Sequence, residues 1–155
     1  MRIWLAGADD LGDAARLLGE FRTWFGKSTP SDEEMLASVA RIHAADGEFL
    51  LGALDGDAVG VCQVRYRWSA WTSAEDAWLE DVFVRESARG SGLGRALVAA
   101  AIERARERGC VRIELDVDEA NAPALTLYRS LGFADDLKAH SRSLLLGLSL
   151  RGTHR

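Results

Sequence analysis

The sequence is short of several things, and each shortage removes a class of protein. It has two cysteines, Cys62 and Cys110, far apart in the chain. They offer no zinc-type spacing and no disulfide framework, and read as small buried hydrophobes in a reducing cytosol. No apolar run approaches the roughly 18 residues of a membrane span. Met1 to Asp10 holds one arginine and two aspartates but no long apolar stretch, so no secretory signal is expected. Positive charge is in deficit, with 19 Lys and Arg against 24 Asp and Glu and a net charge of −5. That argues against non-specific nucleic-acid binding, which needs a cationic footprint, and leaves room for a cationic partner. His43, His140 and His154 have no ligand partner at useful spacing, so no metal site is expected. No internal repeat, linker or low-complexity tract is present.

What remains is 155 residues with 48% hydrophobic and 28% charged content. That composition describes one cytoplasmic globular domain over residues 1–155, long enough to bury a core without staples. A short strand at Arg2 to Ala6 precedes a helical stripe through Leu11, Ala14, Ala15, Leu18 and Phe21, which Gly26 stops. Ser31 and Glu34 have capping-box spacing at the head of a second helix. Strands follow at Glu48 to Leu54 and Ala58 to Trp68, joined by an Asp55-Gly56-Asp57 turn. After a polar loop, Ser69 to Asp76, comes a strand at Ala77 to Val84. A helix from about Leu93 to Arg108, a strand at Val111 to Val117, a helix at Asn121 to Ser130 and a last strand at Leu144 to Leu150 complete the chain. The order is that of an α/β sandwich, helices covering a mixed sheet.

Glycine is clustered where a β-branched strand, Val82-Phe83-Val84, runs toward Arg89-Gly90-Ser91-Gly92-Leu93-Gly94-Arg95 and a helix. Glycines let backbone approach a ligand closely, and N–H groups at a helix start cradle an anion. With Arg89 and Arg95 beside them, a phosphate is the natural guest. No G-x-x-x-x-G-K-[ST] run exists, and Arg95 stands where a dinucleotide fingerprint wants glycine. A plain strand-to-helix turn remains open on this loop alone.

Two motifs together narrow the reading. Arg89-x-x-Gly92-x-Gly94 resembles the [Q/R]-x-x-G-x-[G/A] signature of the GCN5-related N-acetyltransferases (GNAT). Asn121, Ala124, Tyr128, Gly132 and Phe133 resemble that family's second signature, in the family's order and one helix and one strand apart. The resemblance covers nearly the whole chain. It implies the GNAT fold: a mixed, mostly antiparallel sheet with a splayed central pair of strands, flanked by about four helices. It also implies acetyl-CoA as cofactor. Val82, Phe83 and Val84 would pair with the pantetheine arm, while Arg89, Gly90, Ser91, Gly92, Leu93, Gly94 and Arg95 would surround the pyrophosphate. Asn121 would hydrogen-bond the cofactor, with a helix N-cap as its plainer role. Tyr128 would donate a proton or hydrogen bond to the departing thiolate.

Leu79-Glu80-Asp81-Val82-Phe83-Val84 resembles the matching strand of spermidine/spermine N-acetyltransferases, in which the glutamate is a proposed base. Glu80 is the first choice for that role and Asp81 the second. Regular alternation would send the two to opposite faces, and a bulge would change which one points at the thioester. The resemblance places the acyl acceptor against Phe21 to Asp32 and Tyr66 to Trp78. Trp24, Trp68, Trp71, Glu75 and Asp76 there suit an ammonium group. The expected activity is direct acetyl transfer to a primary amine of a small, polyamine-like acceptor. An amino acid, an aminoglycoside, a protein N-terminus and a non-catalytic acyl-CoA sensor stay open. The resemblance allows a homodimer through the last strands, where Leu144, Leu145, Leu146 and Leu148 would serve either such an interface or the core.

Overall fold

The computed structural model describes residues 1–135 and 144–151; His140 and His154 lie outside them. The chain divides into two compact units, Met1–Asp116 and Val117–Arg155.

The first unit is built on a five-stranded sheet in the order β1-β2-β3-β4-β5. Its strands are β1 (Arg2–Leu5), β2 (Gly47–Ala53), β3 (Gly60–Ser69), β4 (Ala74–Val84) and β5 (Arg112–Glu114). The first four pair antiparallel, and β5 joins β4 in parallel. One face carries α1 (Leu11–Trp24) and α2 (Asp32–Ala44). Their apolar stripes meet Phe49, Leu51, Val61 and Phe83 of the sheet in one buried cluster. Ser31 caps α2 as its spacing predicts: Glu34 N–H donates to Ser31 Oγ at 3.2 Å, and Ser31 N–H donates to Glu34 Oε2 at 2.8 Å.

The other face carries α3 (Leu93–Glu107). Leu93, Leu97, Val98 and Ala101 are fully buried on it. Gly52 and Gly60 are partners across β2 and β3. A Cβ at Gly52 would lie 2.8 Å from Leu93 Cδ1, and one at Gly60 would lie 2.9 Å from Leu97 Cδ1. This bare patch of sheet lets α3 seat closely. Farther along, Glu48 of β2 ties the layers together. It accepts from Tyr66 Oη at 2.9 Å and from Arg104 Nε and Nη2 at 2.9 and 2.8 Å. Burial works against the Glu48 charge, but Arg104, Tyr66 and Arg108 hold the carboxyl below its usual range.

Three expectations need correction. The loop before β4 is only 70–73, because β4 begins at Ala74 and Glu75 and Asp76 pair with Trp68 and Arg67 of β3. The strand expected at Val111 to Val117 is the three-residue β5, with Val111 itself exposed. Leu144 to Leu150 forms no strand, and its leucines are 73% to 92% exposed. Alternating leucines supply an apolar face, but a strand needs a ladder partner to satisfy its backbone.

In the second unit, α4 (Ala122–Ser130) is capped at both ends. Ala124 N–H donates to Asn121 Oδ1 at 3.2 Å. At the other end Gly132 has φ +96°. Its N–H donates to Arg129 O, and Phe133 N–H donates to Tyr128 O. Those two bonds are the Schellman closure, and the Phe133 ring meets Tyr128 edge-on at 5.7 Å as its apolar contact. Most of the second motif is therefore the grammar of one short helix: N-cap, last turn, left-handed glycine and hydrophobic latch.

Candidate active site

β4 pairs with β3 along its whole length, but with β5 only at Asp76, Ala77 and Trp78. From Leu79 to Val84 the β5-facing edge has no strand beside it among the described residues. Arg89 Nε donates to Val84 O at 3.0 Å, which places that carbonyl on the open side. In an antiparallel pair both backbone groups of a residue point the same way and alternate along the strand. Val84 and Val82 therefore offer N–H and C=O to the open edge, while Phe83 bonds toward β3. An extended chain with amide groups can add there as a strand would.

The edge leads straight to the glycine loop. Gly90 and Gly92 have φ of +77° and +85°, which side-chain-bearing residues rarely adopt. Gly92 is the N-cap of α3. The first-turn amides of that helix point out of its end and carry the positive pole of its dipole. Ser91 Oγ donates to Ala88 O at 2.6 Å and accepts from Leu93 N–H at 3.3 Å, fixing the loop. Arg89 lies 5.0 Å over the Trp24 ring. Open edge and anion cradle thus form one continuous track shaped for a phosphate group carrying an amide-bearing arm. The residues present fit coenzyme A.

The carboxylates stand at a break in the β3–β4 ladder. Gln63 pairs with Asp81 and Val64 with Leu79, leaving Glu80 as an extra residue on β4. Asp81 and Phe83 face the α1–α2 side with their partners Gln63 and Val61, while the bulge puts Leu79 on the other face with Val64. Glu80 is exposed. Burial pushes the Asp81 carboxyl up to about 6, helped by the charges of Glu80 and Asp116. Asp81 and Gln63 line a cavity of about 200 Å³ between the sheet and the two helices, walled by Leu18, Phe21, Phe25, Met35, Val39 and Ile42.

The other acceptor-side residues lie elsewhere. Asp76 is buried and receives Arg112 Nη2 at 2.8 Å. Glu75 is forked by Arg108 Nη2 at 3.0 Å to each oxygen. Both carboxylates are engaged by arginines. Trp68 and Trp71 are 69% and 98% exposed near the β3–β4 hairpin tip. Trp24 packs beside Phe21 and Phe25 and under Arg89. Phe21 lies in the segment expected to meet the acceptor, whereas Met35 and Ile42 of α2 follow plain helical core spacing in the sequence. Their signal was an apolar stripe wider than the sheet contact needs.

The acetyltransferase (GNAT) family model matches residues 16–133. The chain belongs to the GNAT family. It is 42% identical over 86 residues to the streptothricin acetyltransferase of Streptomyces lavendulae, a match covering 56% of this chain and 43% of that protein. It is 32% identical over 148 residues to the thialysine N-epsilon-acetyltransferase of Mus musculus, covering 86% of this chain and 84% of the relative. The chain thus spans about half the length of some of the curated relatives it matches and most of others. A solved structure from Arthrobacter sp. FB24, provisionally assigned as an acetyltransferase, superposes with a TM-score of 0.86 at 28% identity, covering 97% of this chain and 96% of that one. The expected fold is therefore present, and with GNAT membership come the acyltransferase class and acetyl-CoA as donor.

Proposed function

We propose that the protein transfers the acetyl group of acetyl-CoA directly to the primary amine of a small cationic acceptor. One juxtaposition carries this reading. On a single strand, a carboxylate with a raised pKa at the bulge is followed at once by the open edge of Val82 to Val84 and then by the anion cradle. Acetyl-CoA supplies an activated acetyl thioester. Val82 and Val84 hold its amide arm by their edge N–H and C=O groups, and the amides of Gly90 to Gly94 with Arg89 and Arg95 hold its pyrophosphate.

An amine arrives as an ammonium and cannot attack until it loses a proton. Asp81 takes that proton: a carboxyl near 6 is mostly ionised at neutral pH yet basic enough to accept it. Glu80 is the second carboxylate and keeps the Asp81 pKa high through its own charge. Asn121 acts as helix cap and cofactor contact. Tyr128, carried over from its motif position, gives a proton from Oη to the departing sulfur. Trp24 braces Arg89 at the cradle. Trp68, Trp71, Glu75 and Asp76 take no part in this reading, since the two carboxylates are held by Arg108 and Arg112 and the two rings lie near the hairpin tip. The proposal includes a cytosolic homodimer, supported by the exposed leucines from 144 to 150.

The test is release of free CoA from acetyl-CoA with a panel of primary amines. Turnover with at least one amine, slowed by Tyr128→Phe, supports the enzyme. Tight acetyl-CoA binding without turnover of any amine would make the chain a binding module instead.

A further inference from the structure

The cavity at Asp81 has a composition that bears on which amine it takes. Resting on the acetyl-transfer reading above, we infer that the acceptor is a compact monoamine with an apolar body, an alkyl or arylalkyl amine, and that diamines and polyamines are poor substrates.

The argument runs from charge and wall chemistry. Asp81 is the one carboxylate among the residues lining this cavity. One carboxylate matches one ammonium. Glu75 and Asp76, the carboxylates expected to suit an ammonium group, are bound by Arg108 and Arg112. Apart from Asp81, Gln63, Arg22 and Ser38 the lining is apolar, with Phe21, Phe25, Met35 and Ile42 among its walls. A second ammonium laid on those walls would lose its water without gaining a partner, and such burial is strongly unfavourable. Arg22 also lines the cavity, and its guanidinium is taken by Asp32 at 2.9 Å and by Pro30 O at 2.6 Å. Phe21 and Phe25 pack with ring centroids 4.8 Å apart, and Phe21 stacks on Phe83 at 5.1 Å. This makes a rigid aromatic floor beside the strand that holds the thioester arm. At about 200 Å³ the space is below the roughly 300–1,000 Å³ of pockets for drug-sized ligands. It accommodates a body of a few carbons or one ring.

A matched pair separates the possibilities. Pentylamine and butane-1,4-diamine have the same chain length and differ in a terminal methyl against a second ammonium. CoA release is measured with both, and with 2-phenylethylamine and spermidine, at pH 7.5. The inference expects kcat/KM for pentylamine to exceed that for the diamine by about 10-fold or more, with phenylethylamine at least as good. Ile42→Glu places a carboxylate on the apolar wall and should move the ratio toward the diamine by about 10-fold. Equal or better use of the diamine by the unaltered enzyme would overturn this inference and leave acetyl transfer standing. No turnover with any of the four amines, while acetyl-CoA still raises the melting temperature, would overturn both.

Discussion

Gln63 of β3 stands opposite Asp81 of β4, and the next pair along the ladder is Val64 with Leu79. The one-residue surplus at Glu80 turns the Asp81 side chain into the space beneath α1 and α2. Regular alternation would put Asp81 on the same face as Leu79; the surplus residue puts the two on opposite faces.

The first prediction concerns catalysis at that bulge. Asp81→Asn should lower kcat/KM by about 10²- to 10⁴-fold, the usual range for losing a general base. In the unaltered enzyme kcat/KM should fall as pH drops through about 6, where Asp81 takes up its proton. Rate profiles from pH 5 to 8 measure both. A profile in Asp81→Asn that kept this inflection would assign the titration to another group.

The same substitution has an opposite effect on stability. The folded-state pKa of Asp81 is raised, so folding favours its neutral form. That contribution is complete below the unfolded pKa near 4 and is lost as pH rises through about 6. Above pH 6 the buried charge weakens the fold by an amount on the order of 1–3 kcal/mol. Asp81→Asn should therefore melt a few degrees higher than the unaltered protein at pH 8 and show little difference at pH 4. Thermal unfolding followed by circular dichroism at the two pH values checks this.

Tyr128→Phe should reduce kcat by about 10²-fold while leaving acetyl-CoA affinity near its original value. The ring that meets Phe133 is retained, so α4 keeps its latch. Titration calorimetry with acetyl-CoA and steady-state kinetics separate the two effects. A matching loss of affinity would move Tyr128 from proton donor to binding contact.

Gly92→Ala should weaken acetyl-CoA binding by about 10-fold or more. Alanine at φ +85° costs on the order of 1 kcal/mol and shifts the amides at the head of α3. Equilibrium binding of CoA against dephosphorylated pantetheine is the direct measurement. The loss should appear for CoA and be small for the fragment, which lacks the pyrophosphate.

Local signals carried much of this structure. The Ser31–Glu34 capping box, the glycine loop and the ends of α4 are all interactions within a few residues, and each is legible in sequence. What escaped was non-local. The resemblance allows a bulge beside Glu80, but its position exists only relative to β3, so no pattern within Leu79 to Val84 fixes it. Glu75 and Asp76 resemble loop residues because charge is rare in strands. Their strand character comes from the pairing with β3, and Arg108 just past α3 and Arg112 of β5 meet their charge. The α2 wall of the cavity escaped because Met35 and Ile42 follow the same helical spacing as true core.

The double capping of α4 sets a rotational phase as well as a length. Asn121 and Tyr128 are seven residues apart, and at about 100° per residue the second returns to within roughly 20° of the first, some 10 Å farther along the axis. One inserted residue between them would swing Tyr128 a quarter-turn off that line while both caps still closed. The fixed gaps of the motif are thus a mechanical tolerance: the helix keeps two polar side chains on one line, and its ends forbid any slip.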